Sequence, residues 1–135
     1  LLSPQPRLRE LAGLVAQAQT SGATVDLLVE GEQRELPPAI ELSAYRIAQE
    51  ALTNSLKHAP GSVAHVHIEY GPDTVAIVVT DDGPGMPGTG AGEGGHGLIG
   101  MRERVALYGG RLEIGPCTGS GYQVRAWLPT NGTAT

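Results

Sequence analysis

Phenylalanine is absent from all 135 residues, lysine occurs once, at Lys57, and cysteine once, at Cys117. Most of these shortages remove a class of chemistry. A single cysteine forms no internal disulfide and no cysteine-rich zinc site. Cys117, in a loop without a nearby histidine, reads as an inert thiol. The single lysine sits in "SLKHA", so no G-x-x-x-x-G-K-[ST] phosphate loop exists. No apolar run approaches a membrane span; the cleanest, Val75 to Val79, suits a buried strand. The opening "LLSPQPRLRE" is broken by proline and shows no signal-peptide pattern. The expectation is a soluble, cytoplasmic piece with no direct membrane contact, whose parent is membrane-anchored or soluble. Positive charge is also short: a net charge of −5 argues against a nucleic-acid footprint. The missing phenylalanine and the arginine-over-lysine skew exclude no function.

What is present is globular: 40% apolar and 17% charged residues, in a length that suits one domain and can bury a core. Leu8, Leu11, Leu14, Val15 and Ala18 recur at helical spacing, and Ser21-Gly22 ends that helix. "TVDLLVEG", 24–31, reads as a strand, and "QREL" as a short strand or loop edge. Pro37-Pro38 opens a long helix to about Ala59, with Ile40, Ala44, Ile47, Ala51 and Leu52 on its apolar side. Two strands, "AHVHIEYG" and "TVAIVVTDDG", flank the turn "GPD". After the glycine tract, "LIGMRERVALYGG" reads as a helix from Leu98 that Gly109-Gly110 closes. "RLEIG" and "GYQVRAWLP" are the last strands, around "PCTGSG", and the tail 131–135 reads as disordered. Tight turns between consecutive strands exclude a purely parallel sheet. The expected fold class is α/β, a two-layer sandwich of one mixed sheet with its helices on one face.

The glycine tract holds nine glycines in positions 83–100. "GHGLIG", 95–100, matches the letters of a dinucleotide fingerprint, but the preceding strand ends about fifteen residues earlier and no acid follows at a strand end. The chemistry still favours an anion. Gly95 and Gly97 would expose backbone N–H groups at the positive end of a helix. Asp81 and Asp82 follow the apolar "VAIVV", and alternation turns one of them inward, where a carboxylate needs a partner. A ligand amino group or a simple Asp-Gly-Pro-Gly turn would both answer that need. On the long helix Glu50, Ala51, Asn54 and Lys57 share a side. An inward amide oxygen at Asn54 could take Mg²⁺, which is shared with substrate phosphates. Lys57 and His58, about one turn on, could meet phosphate oxygens.

Together "QEALTNSLKHA", "DDGPGM" and "GGHGLIGMRERV" resemble, in order and spacing, the N, G1 and G2 boxes of the GHKL ATPase superfamily. Within it the chain resembles the catalytic and ATP-binding domain of two-component sensor histidine kinases, the NarL/DesK-like subgroup above all, over roughly residues 24–129. The resemblance implies a Bergerat fold, a 23–130 ATPase domain, and a protein-histidine kinase that uses ATP and Mg²⁺. It implies that Asp81 accepts from the adenine amino group, that Gly83 and Gly85 let the backbone pass close to the base, and that Met86 packs near it. Asn54 would hold Mg²⁺, and Lys57 and His58 would contact phosphate or ribose. Residues 86–96 would form a lid, with Gly95, His96, Gly97 and Leu98 closing on the triphosphate. Glu50 takes the acidic position expected to act on the phosphoacceptor histidine.

The family's acceptor lies on a separate helical dimerisation domain, and residues 1–22 contain no histidine. The expected partners are therefore that domain and, downstream, a response regulator, with 1–22 as a junction helix. The competing functions are a nucleotide-binding regulatory or interaction domain, and an anti-sigma-factor-type serine kinase of the same fold. "GHGLIGMRERV" favours the histidine kinase.

Overall fold

A computed structural model describes residues 6–58, 61–83, 94–116 and 121–130, without the side chains of 58 and 94–98. A 3₁₀ turn at Leu8–Glu10 leads into α1 (Leu11–Thr20). There follow β1 (Thr24–Gly31), α2 (Pro38–His58), β2 (Val63–Tyr70) and β3 (Thr74–Asp81). The chain continues with α3 (Gly94–Leu107), β4 (Arg111–Pro116) and β5 (Tyr122–Pro129). "QREL" lies in the loop between β1 and α2 and joins no strand. The disordered reading of 131–135 falls outside the described residues.

The five strands make one sheet in the order β1-β2-β3-β5-β4. β1 and β2 are parallel because the α2 crossover joins them, and every other pair is antiparallel. This is the mixed sheet that the turn pattern predicts. Its inward positions follow the pleat: Val25 on β1; Ala64, Val66 and Ile68 on β2; Val75, Ile77 and Val79 on β3; Val124, Ala126 and Leu128 on β5. The helices bury against these side chains. α2 presents Ile40, Ala44, Ile47, Ala48, Ala51 and Leu52, all buried, which includes every apolar position its spacing singles out. α1 adds Leu11 and Val15, and α3 adds Met101 and Val105, to the same core. Each fully buried Val, Leu, Ile or Met among them contributes about 1.5–3 kcal/mol.

The opposite face of the sheet has no helical cover among the described residues. Its alternate positions mix polar and apolar side chains: His65 faces Asp26 across β2 and β1 and Glu113 faces Arg125 across β4 and β5, while Leu28, Val78 and Trp127 share the face.

α3 begins at Gly94, four residues before the apolar pattern that marks it at Leu98. A first turn of glycines and one histidine carries no hydrophobic period, so patterning cannot register it. Its far end matches the expectation. Gly109 takes φ +73°, Gly110 N–H donates to Val105 O at 2.9 Å and Gly109 N–H donates to Ala106 O at 3.0 Å. This left-handed cap satisfies carbonyls that the last turn leaves open.

Candidate functional site

The end of β3 meets the second half of α2. Alternation along β3 turns Val75, Ile77, Val79 and then Asp81 inward, and Asp81 is only 6% exposed. Ser55 Oγ donates to Asp81 Oδ2 at 2.9 Å, and Gly83 N–H donates to Oδ1 at 3.0 Å. A carboxylate offers about four acceptor positions, so these donors leave room for a further N–H. The neighbouring acid has the other role. Asp82 is exposed and its Oδ1 accepts from Val63 N–H at 2.8 Å, while its own N–H donates to Val63 O at 3.1 Å. Asp82 thus fastens the end of β3 to the start of β2. Of the two adjacent acids, Asp81 is the inward one.

The Ser55–Asp81 bond ties α2 to the end of β3. Asn54, the preceding residue, is half-buried, and Glu50, one turn earlier, is half-buried too. Lys57, at the exposed rim about one turn on, has interactions of its own. Among the described residues no three His, Cys, Asp or Glu side chains gather around a common metal position.

β5 closes the side of the site. Gly121 has φ +101°, and a Cβ there would come within 2.0 Å of Asp81 O. Only glycine lets the strand enter this close. Tyr122 then pairs with Asp81 across β3 and β5. Burial raises its phenol above the ordinary value of 10.0; Arg102 on α3 opposes that shift and the Asp81 charge adds to it. The hydroxyl is therefore protonated at neutral pH, a donor and acceptor beside the acid.

α3 packs against α2, β4 and β5. Its first turn, from Gly94, contains Gly95, His96 and Gly97, whose backbone N–H groups precede the first intrahelical acceptors. Leu98 follows in the same helix. The backbone of His58 closes α2. Gly85 and Met86, with most of the expected lid, lie outside the described residues.

The structure thus brings Asp81, Gly83, Asn54 and Glu50 to one end of the sheet, with Lys57 at its rim. Sequence reasoning missed Ser55, Gly121 and Tyr122. Ser55 had a signal: it extends the row Ile47, Ala51, Ser55 at four-residue spacing, and a polar residue in a buried row needs a buried partner. Gly121 and Tyr122 act through strand register, which one sequence does not disclose.

A mixed sheet backed on one face by helices, with a buried acid at a central strand's end, places the chain in the fold of histidine-kinase ATPase domains. The histidine kinase domain of the Erythrobacter litoralis EL346 blue-light activated histidine kinase superposes with TM-score 0.70 at 21% identity, over 99% of this chain and 72% of that one. The mycobacterial sensor histidine kinase MprB gives TM-score 0.65 at 22% identity, over 90% of each. The sequence profile of the Histidine kinase-, DNA gyrase B-, and HSP90-like ATPases matches residues 39–132, and the chain belongs to that family.

Among curated relatives, the signal transduction histidine-protein kinase/phosphatase DegS of Brevibacillus brevis is 39% identical over 94 residues, 70% of this chain and 24% of its own length. The sensor histidine kinase YxjM of Bacillus subtilis is 38% identical over 124 residues, 90% of this chain and 30% of its own length. The chain therefore spans about a fifth to three tenths of the length of curated relatives it matches.

Proposed function

We propose that this chain is the ATP-binding catalytic domain of a sensor histidine kinase, which transfers the γ-phosphoryl of ATP to a histidine on a separate dimerisation domain. The observation that carries the reading is Asp81: an acid buried at a strand end, held by Ser55 and Gly83, with acceptor capacity left over. In this reading Asp81 accepts from the adenine amino group, and Gly83, Gly85 and Met86 border the base. Asn54 supplies a protein oxygen to Mg²⁺. Lys57 and His58 meet phosphate or ribose, and Gly95, His96, Gly97 and Leu98 meet the triphosphate, with the α3 first turn offering backbone donors. The residues fit that ligand: an acceptor for the base, an amide for the metal and helix-end donors for the anion.

Bound Mg²⁺ neutralises phosphate charge, which is the chemistry the ion supplies. The protein contributes positioning and electrostatics, which dominate phosphoryl transfer. Glu50 takes the role of polarising or deprotonating the acceptor imidazole. In this reading the segment 1–22, which holds α1, is the junction with the dimerisation domain, and a response regulator receives the phosphoryl afterwards. The domain is assigned to the cytoplasm; no described helix is long and apolar enough to cross a membrane.

Calorimetric titration with a non-hydrolysable ATP analogue, with and without Mg²⁺, tests the reading. Binding to the wild-type chain should strengthen with Mg²⁺, and Asn54→Ala should remove that gain while adenosine binds as before. Equal losses for both ligands would point to a damaged helix, and no binding to the wild type would end the nucleotide reading.

A further inference from the structure

At the end of α2 away from Asn54, a second buried carboxylate has no part in this chemistry. Glu41, in the first turn of α2, is 5% exposed. Its Oε1 accepts from Leu8 N–H at 2.8 Å and its Oε2 from Leu36 N–H at 3.0 Å. Leu8 opens the 3₁₀ turn, so its N–H has no partner within that turn. Leu36 lies in the loop that leads into α2. One carboxylate therefore joins three pieces of chain: the entry turn, the β1–α2 loop and α2 itself. Of the arginines around the same hollow, Arg7 pairs with Glu35, while Arg34 donates to the neutral acceptors Gly71 O, Pro72 O and Thr130 Oγ1 and so keeps its charge nearby, as does Arg9. Backbone donors and the positive end of α2 compensate the Glu41 charge.

The surroundings make these bonds matter. A hollow of about 310 Å³, bordered by Arg7, Arg34, Glu41 and Tyr70, opens beside the entry turn. Among the described residues that side of the turn is open. Its other attachments are the apolar contacts of Leu8, Leu11 and Val15 and, at the cap residue before it, the exposed Arg7–Glu35 ion pair. Apolar contacts are non-directional, whereas the two bonds to Glu41 fix both distance and orientation. From Glu41, α2 runs without a break to Glu50 and Asn54, a rise of about 20 Å.

We infer that Glu41 is a positioning residue that latches the entry turn Leu8–Glu10 to α2, so that the entry turn and the far end of α2 are energetically coupled. The coupling rests on the nucleotide reading above; the latch itself does not. Coupling is reciprocal, so ligand at Asn54 must also tighten the entry turn.

Hydrogen exchange by peptide tests both parts. In the free protein, Glu41→Gln replaces one acceptor oxygen with an NH₂ group that faces a backbone donor. Exchange in peptides covering 7–15 and 34–37 should rise roughly tenfold or more, with β3 unchanged. With an Mg²⁺-bound ATP analogue, the wild type should show protection at 50–58 and also at 7–15. Glu41→Gln should keep the first and lose the second. A merely structural glutamate would not separate them. Glu41→Asp, which keeps the charge but shortens the reach, replaces Gln if that variant does not fold.

Unchanged exchange at 7–15 in the free variant would remove the latch. Protection at 50–58 without protection at 7–15 in the wild type would remove the coupling. No protection anywhere on adding the analogue would overturn the nucleotide reading and the coupling with it, while the ligand-free comparison still decides the latch.

Discussion

Asp81 and Asp82 are adjacent and chemically identical, yet strand alternation gives them separate tasks. Asp81 is buried with two donors; Asp82 is exposed and ties β3 to β2. Asp81→Asn keeps the size but turns an acceptor-only group into one whose NH₂ can face Ser55 or the ligand. Nucleotide affinity should fall about tenfold or more, since a hydrogen bond to a charged group is worth roughly 1.5–3 kcal/mol. A folded Asp81→Asn protein with unchanged affinity would remove Asp81 from the base site. Ser55→Ala probes the support behind it. It removes one donor and leaves the other, Gly83 N–H, in place. Stability should drop by about 1.5–3 kcal/mol in a denaturant melt, and nucleotide affinity should fall less than in Asp81→Asn. At this scale strand alternation alone left two acids and the family resemblance named Asp81; in the structure Asp81 is the buried one and Asp82 the exposed one. Ser55 was legible only as an oddity: a hydroxyl in a row of apolar side chains.

The elements differ in how much of themselves they announce. α2 was legible almost to its ends, because prolines mark its start and its apolar row is unbroken. α3 was legible from Leu98 onward and at its glycine cap, but not in its first turn, where glycine supplies freedom and no pattern. That turn is also the part assigned to phosphate, so the least legible stretch of the helix carries its proposed function. The cap allows a direct check. Gly109 sits at φ +73° with open space around its α-carbon, so an added methyl meets no neighbour and acts through the backbone alone. Gly109→Ala should cost on the order of 1 kcal/mol from the left-handed conformation, read as a lower thermal midpoint. Nucleotide affinity should change little, because the cap lies at the other end of α3 from Gly94–Gly97. A large affinity loss with an unchanged midpoint would mean that the two ends of α3 are coupled.

Across the whole molecule, the two faces of the sheet sort the histidines. His65 and His67 stand on the uncovered face, where His65 Nδ1 lies 2.9 Å from Asp26 and His67 Nε2 lies 2.7 Å from Glu30. Asp81 and α2 are on the other face, so the sheet separates both imidazoles from the candidate site. The backbones of His58 and His96 belong to α2 and α3, on the same face of the sheet as Asp81. Phosphoryl transfer needs the nucleophile in line and at near-contact distance, and an error of about an ångström can cost on the order of a hundredfold. The isolated chain with Mg-ATP should therefore acquire no acid-labile phosphohistidine. Radiolabel should appear when the cognate dimerisation domain is added separately. It should appear slowly, because a covalent tether would raise the local concentration that free diffusion does not. Glu50→Ala should reduce that transfer far more than it reduces ATP binding, since its proposed work is on the acceptor imidazole. Label on the isolated chain at His58 or His96 would overturn the need for a separate acceptor. Label at His65 or His67 would require the phosphoryl to reach the opposite face of the sheet, and would overturn the placement of the nucleotide itself.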